Sequence, residues 1–190
     1  MRIDKKSPNS NRKAADCLTS GGIAILPTDT IYGFSGLVPG SSGKIHAIKG
    51  RDEGKPFIEL IADASDLGIH CADAINPLLL AYWPGAVTII VRNRAGGTTA
   101  YRCPGDEWLR SVIKLCGKPI YSTSVNRAGE PPIKKIDDIC AAFGDSAELI
   151  VDDGDHEAGA PSTLIDATGP IYRVIRQGAV NVAPEALKAP

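Results

Sequence analysis

The sequence predicts a single α/β domain built on a mixed β-sheet, and three observations predict it. The hydrophobic period switches repeatedly between helical and strand values, glycine and proline punctuate most of the switches, and no linker, repeat or low-complexity tract divides the 190 residues. With 43% hydrophobic residues, a chain of this length buries roughly 70% of its unfolded surface, enough for one real core.

The elements follow in order. Asn9 or Ser10 is placed to cap a helix running to about Ser20, which Gly21 and Gly22 end. Ile23 to Pro27 reads as a short buried strand and Thr28 to Gly33 as its exit loop. A helix over Ser42 to Lys49 leads through the basic loop Lys49 to Lys55 into a strand at Phe57 to Ala62. Helical periodicity spans Ala72 to Trp83 and stops at Pro84-Gly85, ahead of a β-branched strand at Val87 to Val91. Gly96-Gly97 turns into a strand at Thr98 to Cys103, and Asp106 to Cys116 is an amphipathic helix. Ile120 to Ser122 is extended, Ser124 to Pro132 loop, Ile136 to Phe143 helix and Leu149 to Val151 strand. Thr163 to Asp166 and Tyr172 to Ile175 are expected as a closing pair of strands.

Composition excludes several classes. Lys and Arg number 21 against 22 Asp and Glu, so no bulk field draws a nucleic-acid backbone and any anion site must be built locally. Five widely spaced cysteines, an odd number, fit buried thiols in a reducing cytoplasm better than a disulfide framework. Met1 to Lys13 lacks the apolar core of a signal peptide, and no apolar run reaches the roughly 20 residues that span a bilayer. Gly36 to Lys44 has the wrong glycine spacing for a phosphate-binding P-loop, and Ile45 stands where Ser or Thr should bind magnesium. His46, His70 and His156 have no metal-ligand spacing, and no Gly-x-Ser-x-Gly elbow exists.

The chemistry-bearing segments lie mostly just after predicted strands, where open α/β sheets place their ligands. Lys49, Arg51 and Lys55, flanked by Gly50 and Gly54, suit a polyphosphate, because guanidinium grips phosphate oxygens in plane while lysine acts as a mobile point charge. Taken alone, that loop reads slightly better as a solvated charged turn. Hydroxyls at Thr28, Thr30, Ser122, Ser124 and Ser162 are suited to orient a small polar substrate, although each singly is more often a turn or cap residue. Arg102 sits in an otherwise apolar strand, where a partly buried guanidinium needs an anionic partner; Arg176 invites the same argument.

Pro27-Thr28-Asp29-Thr30-Ile31-Tyr32-Gly33, Lys49-x-Arg51, Ser124-x-Asn126, Ser162-Thr163 and Arg176 together resemble the YrdC/Sua5 family of threonylcarbamoyl-adenylate synthases. The motifs run in order from about Leu18 to Gly178, inside a core of about residues 11–180. The resemblance implies a YrdC-like twisted mixed sheet with flanking helices and a concave basic substrate cleft, in the short form without the C-terminal domain of longer relatives. It implies that threonine's amine takes up bicarbonate as a carbamate, which attacks the ATP α-phosphorus and expels pyrophosphate. Mg²⁺ is expected to arrive with ATP. Arg51, Lys55, Ser124, Asn126 and Arg176 would face ATP, with Thr88 a further contact. Thr30, Arg102, Ser122 and Ser162 would surround the threonine, and Lys49 and Arg51 would act at the reacting centre. A separate transferase complex would pass the product to tRNA, at the adenosine next to the anticodon, with no direct tRNA binding by this chain.

The sequence departs from the family pattern at Ala86, Val125 and Pro132, and the stretch from Thr30 to Lys49 is short. Alternatives are a paralogue of this fold that binds nucleotide or RNA without threonine chemistry, and an enzyme of the same fold acting on carbamoyl phosphate.

Overall fold

The computed structural model describes residues 1–52, 54–156 and 159–190. In chain order the elements are β1 (Arg2–Asp4), α1 (Ser10–Thr19), β2 (Ala24–Leu26), β3 (Gly33–Leu37), α2 (Ser42–Lys49), β4 (Ile58–Leu60), α3 (Leu67–His70) and α4 (Pro77–Leu80). There follow β5 (Val87–Arg92), β6 (Thr98–Arg102), α5 (Glu107–Cys116), β7 (Ile120–Ser124), α6 (Ile136–Phe143), β8 (Leu149–Asp152), β9 (Thr163–Asp166) and β10 (Arg173–Arg176). The strands form one sheet in the order β1-β8-β2-β3-β7-β4-β6-β5-β9-β10. Pairs β1–β8, β2–β8, β4–β6 and β5–β9 are parallel and the others antiparallel, the expected mixed sheet.

Side chains of a strand alternate between faces, and that alternation layers the domain. Ala24 and Leu26, with Leu149 and Val151, pack against Ala14 and Leu18 of α1 and Leu109 and Ile113 of α5. Ile25, Phe34 and Ile150 pack on the other side against Ile45 of α2 and Ile139 and Phe143 of α6. Helices thus cover both faces, which is why β2 and β8 read as unbroken apolar runs. A third cluster joins Val87, Ile89, Val91, Tyr101 and Ile165 to Trp83 and Leu79.

Local signals set several boundaries. Asp106 caps α5 by accepting the Leu109 N–H at 2.8 Å. Asn9 holds the cap position of α1 but makes no side-chain cap bond. Ser10 instead donates to Lys5 O at 2.5 Å and accepts from Trp108 Nε1 at 2.9 Å, tying α1 to α5.

One expectation needs correction, and two strands were not expected. Ala72 to Trp83 is not one helix. Cys71 bridges to Asn93 and the Ala72 N–H reaches Arg92 O at 2.9 Å, so this stretch first runs extended beside the end of β5. Helix begins only at Pro77, where Asn76 Oδ1 accepts the Leu78 N–H at 2.9 Å, and lasts Pro77–Leu80. Ile75, Leu79 and Trp83 are all buried in one cluster, so an extended stretch and a single turn meet the burial pattern that suggested a helix. Strand β3 begins where a loop was expected to end: Gly33 pairs with Ser124, and a Cβ there would meet Ser122 Oγ at 2.8 Å. The polar segment Arg2–Asp4 is a strand, held in register by β8 alone. No helix among the described residues is long and apolar enough to cross a membrane.

Candidate active site

A cavity of about 420 Å³ lies over the middle of the sheet. Ile58, Ala100 and Ser122, cross-strand neighbours on β4, β6 and β7, form part of its floor. By strand alternation this is the face that α1 and α5 cover further along, since Leu60 and Ile120 of the same two strands pack beneath them. Around the floor stand Thr30, Arg51, Arg102, Ser124, Ser162 and Arg176. Seven of the residues expected at the site, from six separate segments, are therefore brought together. Lys49, Lys55, Thr88 and Asn126 do not line the cavity.

The loop between β2 and β3 is organised by a hydroxyl chain. Thr28 Oγ1 accepts the Thr30 and Ile31 N–H groups at 3.0 and 3.2 Å and donates to Ile31 O at 2.8 Å. The Thr28 and Thr30 hydroxyls lie 2.8 Å apart, and either can donate to the other. Thr30 Oγ1 also accepts from Arg102 Nη1 at 3.0 Å.

Arg102 is 5% exposed. Its Nε donates to Gly85 O at 3.0 Å and its Nη2 pairs with Asp29. Asp29 Oδ2 in turn accepts the Gly105 N–H at 2.9 Å. The anionic partner that burial of Arg102 demands is thus part of the protein, and two guanidinium N–H groups are left for a ligand. Sequence reasoning missed Asp29. Its signal was an acidic residue inside the Pro-Thr-Asp-Thr run, read there only as part of a motif.

Arg51 and Arg176 differ. Arg51 donates to Pro56 O at 3.4 Å and lies 5.1 Å from the centre of the Phe57 ring. Arg176 donates to Ser162 O at 3.0 Å. Neither has a carboxylate partner among the described residues. Burial pushes the pKa of both down, and for Arg176 the charge of Arg102 adds to it. The turn after β10 is fixed by Gly178, where a Cβ would collide with Pro161 O at 2.2 Å. That contact holds the Arg176 segment against Ser162.

Behind the cavity, the remaining expected residues support its walls. Lys49, 3% exposed, donates to Ser124 O at 2.5 Å, Asn126 O at 2.9 Å and Asn126 Oδ1 at 3.0 Å, which uses all three of its protons. Burial first, and the charge of Arg51 second, push its pKa down to about 8. Asn126 Oδ1 also accepts from Ser124 Oγ at 2.5 Å, and its Nδ2 donates to Arg127 O and Glu130 O at 2.8 and 2.7 Å. Thr88 is fully buried and shares a 2.7 Å hydrogen bond with Ser162 Oγ. Lys55 is exposed, and its N–H reaches Asp52 O at 3.3 Å. Of the departing residues, Pro132 lines the cavity and Val125 is in the core. Cys103, next to Arg102, is fully buried and its thiol is pushed up to about 11 by burial.

Comparison with known proteins follows the same outline. The Sua5/YciO/YrdC family model, described as "Telomere recombination", matches residues 16–178. A threonylcarbamoyl-AMP synthase of Bacillus subtilis is 30% identical over 184 residues, 89% of this chain and 53% of that protein. P. abyssi Sua5 complexed with L-threonine matches with a TM-score of 0.85 at 25% identity, over 94% of this chain and 57% of that one. E. coli YciO matches with a TM-score of 0.83 at 22% identity, over 97% of this chain and 96% of that one, a likeness of fold. The chain spans little more than half the length of the Bacillus and Pyrococcus proteins.

Proposed function

Because the chain belongs to the Sua5/YciO/YrdC family, we propose that it is an enzyme that makes L-threonylcarbamoyladenylate from L-threonine, bicarbonate and ATP, releasing pyrophosphate, for modification of tRNA at the adenosine next to the anticodon. One observation carries the reading: a single cavity is lined both by hydroxyls with an arginine compensated by Asp29 and by two guanidiniums that lack carboxylate partners among the described residues. The first group suits an amino acid and the second a polyphosphate.

At the amino-acid end, the two unspent N–H groups of Arg102 take the threonine carboxylate. The Thr30 hydroxyl, which lines the cavity next to Arg102, hydrogen-bonds a polar group of the substrate. Ser122 lines the cavity without an internal hydrogen bond among the described residues, and it is the hydroxyl best able to select threonine over valine. An analogue lacking the OH leaves such a site unpaired, the arrangement that discriminates most strongly. Threonine's amine and bicarbonate condense to a carbamate with loss of water. A carbamate oxygen then attacks the α-phosphorus while the bond to pyrophosphate breaks. Arg51 and Arg176 stabilise charge on the phosphate oxygens as it shifts toward the leaving group. Lys49 holds the Ser124–Asn126 strand end rigid and adds positive potential from behind.

Among the described residues no three His, Cys, Asp or Glu side chains are placed to hold a metal. The cavity offers cations and hydroxyls, which fits Mg²⁺ carried in by the triphosphate itself. Bound there, the ion would neutralise phosphate charge. We place the protein in the reducing cytoplasm, in keeping with five unpaired cysteines, and assign transfer to tRNA to a separate complex.

The test is pyrophosphate release from magnesium-ATP with threonine and bicarbonate each present or omitted, with the product sought by mass spectrometry. Release that requires both, with a threonylcarbamoyl-AMP mass, is the expected result. A folded, ATP-binding protein without threonine-dependent release would overturn the reading and favour a nucleotide- or RNA-binding paralogue.

A further inference from the structure

On the opposite face of the same strands is a second cavity, of about 320 Å³. Glu59 of β4 lies in register with Tyr121 of β7 and Tyr101 of β6, so the three side chains share that face. Phe57 and His46 of α2 complete the walls around Glu59 and Tyr121. The Phe57 ring centre is 4.3 Å from that of His46 and 5.8 Å from that of Tyr121. No Lys or Arg is among the lining residues, and Glu59 has no ion-pair partner among the described residues. Its carboxylate has only the Tyr101 hydroxyl, and burial pushes its pKa up. His46 is 7% exposed, and its Nδ1 has no hydrogen-bond partner among the described residues.

A half-buried carboxylate without a counter-ion disfavours an anionic guest and leaves its own charge uncompensated. Aromatic rings next to it attract a cation through their quadrupoles. A metal ion is poorly served, since one carboxylate and one imidazole make no metal cluster here. We propose that this second cavity binds a small organic cation, an alkylammonium or guanidinium group, with Glu59 as its counter-ion and Phe57 and Tyr121 as its ring contacts. The site opens on the other face of the sheet from the adenylate-forming cleft, borders it at Pro56 and Phe57, which line both, and does not depend on the function proposed for that cleft. Arg51 of the cleft lies on the Phe57 ring.

The test is titration of the purified full chain with n-butylammonium chloride, read by NMR at the rings of Tyr121 and His46, with sodium chloride and n-butanol as controls. Saturable shifts are expected with butylammonium alone. Glu59→Gln, which keeps the shape and removes the charge, should weaken binding about tenfold or more. Gly43→Lys changes an exposed glycine on the rim, where an added Cβ meets nothing within 4 Å, and sets a tethered ammonium at the cavity; it should abolish binding even if the first variant folds poorly. No saturable shift in the wild type, equal binding of n-butanol, or unchanged affinity in Gly43→Lys would overturn the proposal.

Discussion

The two ends of the cleft differ in how complete they are without a ligand. At one, Arg102 is buried with its charge answered by Asp29, and Thr28, Thr30, Gly85 and Gly105 close the network around the pair. At the other, among the described residues, Arg51 and Arg176 have only backbone carbonyls and a ring as partners, and burial works against their charge. The finished end supplies shape and orientation at little cost on binding. The unfinished end holds unfavourably placed charge that the proposed polyphosphate would relieve, so its interactions would strengthen as charge develops. Stability and catalysis should therefore separate between the two ends.

The strongest way to break this contrast is at the finished end. Asp29→Asn leaves a buried guanidinium uncompensated, a loss of about 3 kcal/mol or more. For a chain of this size that should lower Tm by about 10 °C in a calorimetric scan. A variant with unchanged Tm would mean that the pair is not part of the finished end. At the unfinished end, Arg51→Ala should reduce threonine-dependent pyrophosphate release about a hundredfold or more, with Tm unchanged or slightly raised. If it instead loses stability as Asp29→Asn does, the two ends are alike and the contrast fails.

Smaller changes sharpen it. Ser162→Ala strands the buried Thr88 hydroxyl, at about 1–3 kcal/mol by urea unfolding. The double variant with Thr88→Val should recover part of that loss. The smallest effect is a proton. Lys49 titrates at about 8 in the folded chain against an ordinary 10.5. The folded state therefore holds fewer protons than the unfolded state between those values, and this group's contribution to stability rises with pH across that window. A polyphosphate favours the charged form, so nucleotide binding near pH 8.5 should take up protons and weaken as pH rises through about 8. Calorimetry in two buffers of different ionisation enthalpy would show it, and Lys49→Met should not.

Where structure is set locally, it was legible in the sequence. α2 and α6 have the expected bounds because turn residues and a short apolar face define them. β1 and β3 were not legible, since what makes Arg2–Asp4 a strand is an edge of β8 some 148 residues away, and what admits Gly33 is the nearness of Ser122. Residues 72–83 misled because burial at Ile75, Leu79 and Trp83 has helical spacing whichever path the backbone takes. At the site, residue chemistry pointed to the right segments but not to the layering. Lys49, Thr88 and Asn126 look like ligand contacts in sequence, and in the fold their polar groups are spent on Ser124, Ser162 and one another. Asp29 was missed for the converse reason: its partner Arg102 lies 73 positions away.

The strand order also has a consequence for how the chain matures on the ribosome. β2 borders β8, and β1 has no neighbour other than β8. Until residues 149–152 have emerged, both of these early strands present an open edge. The cleft waits longer still, because Ser162 and Arg176 lie beyond that point. A nascent chain thus has no assembled cleft for most of its synthesis, and its early strands need shielding until β8 arrives.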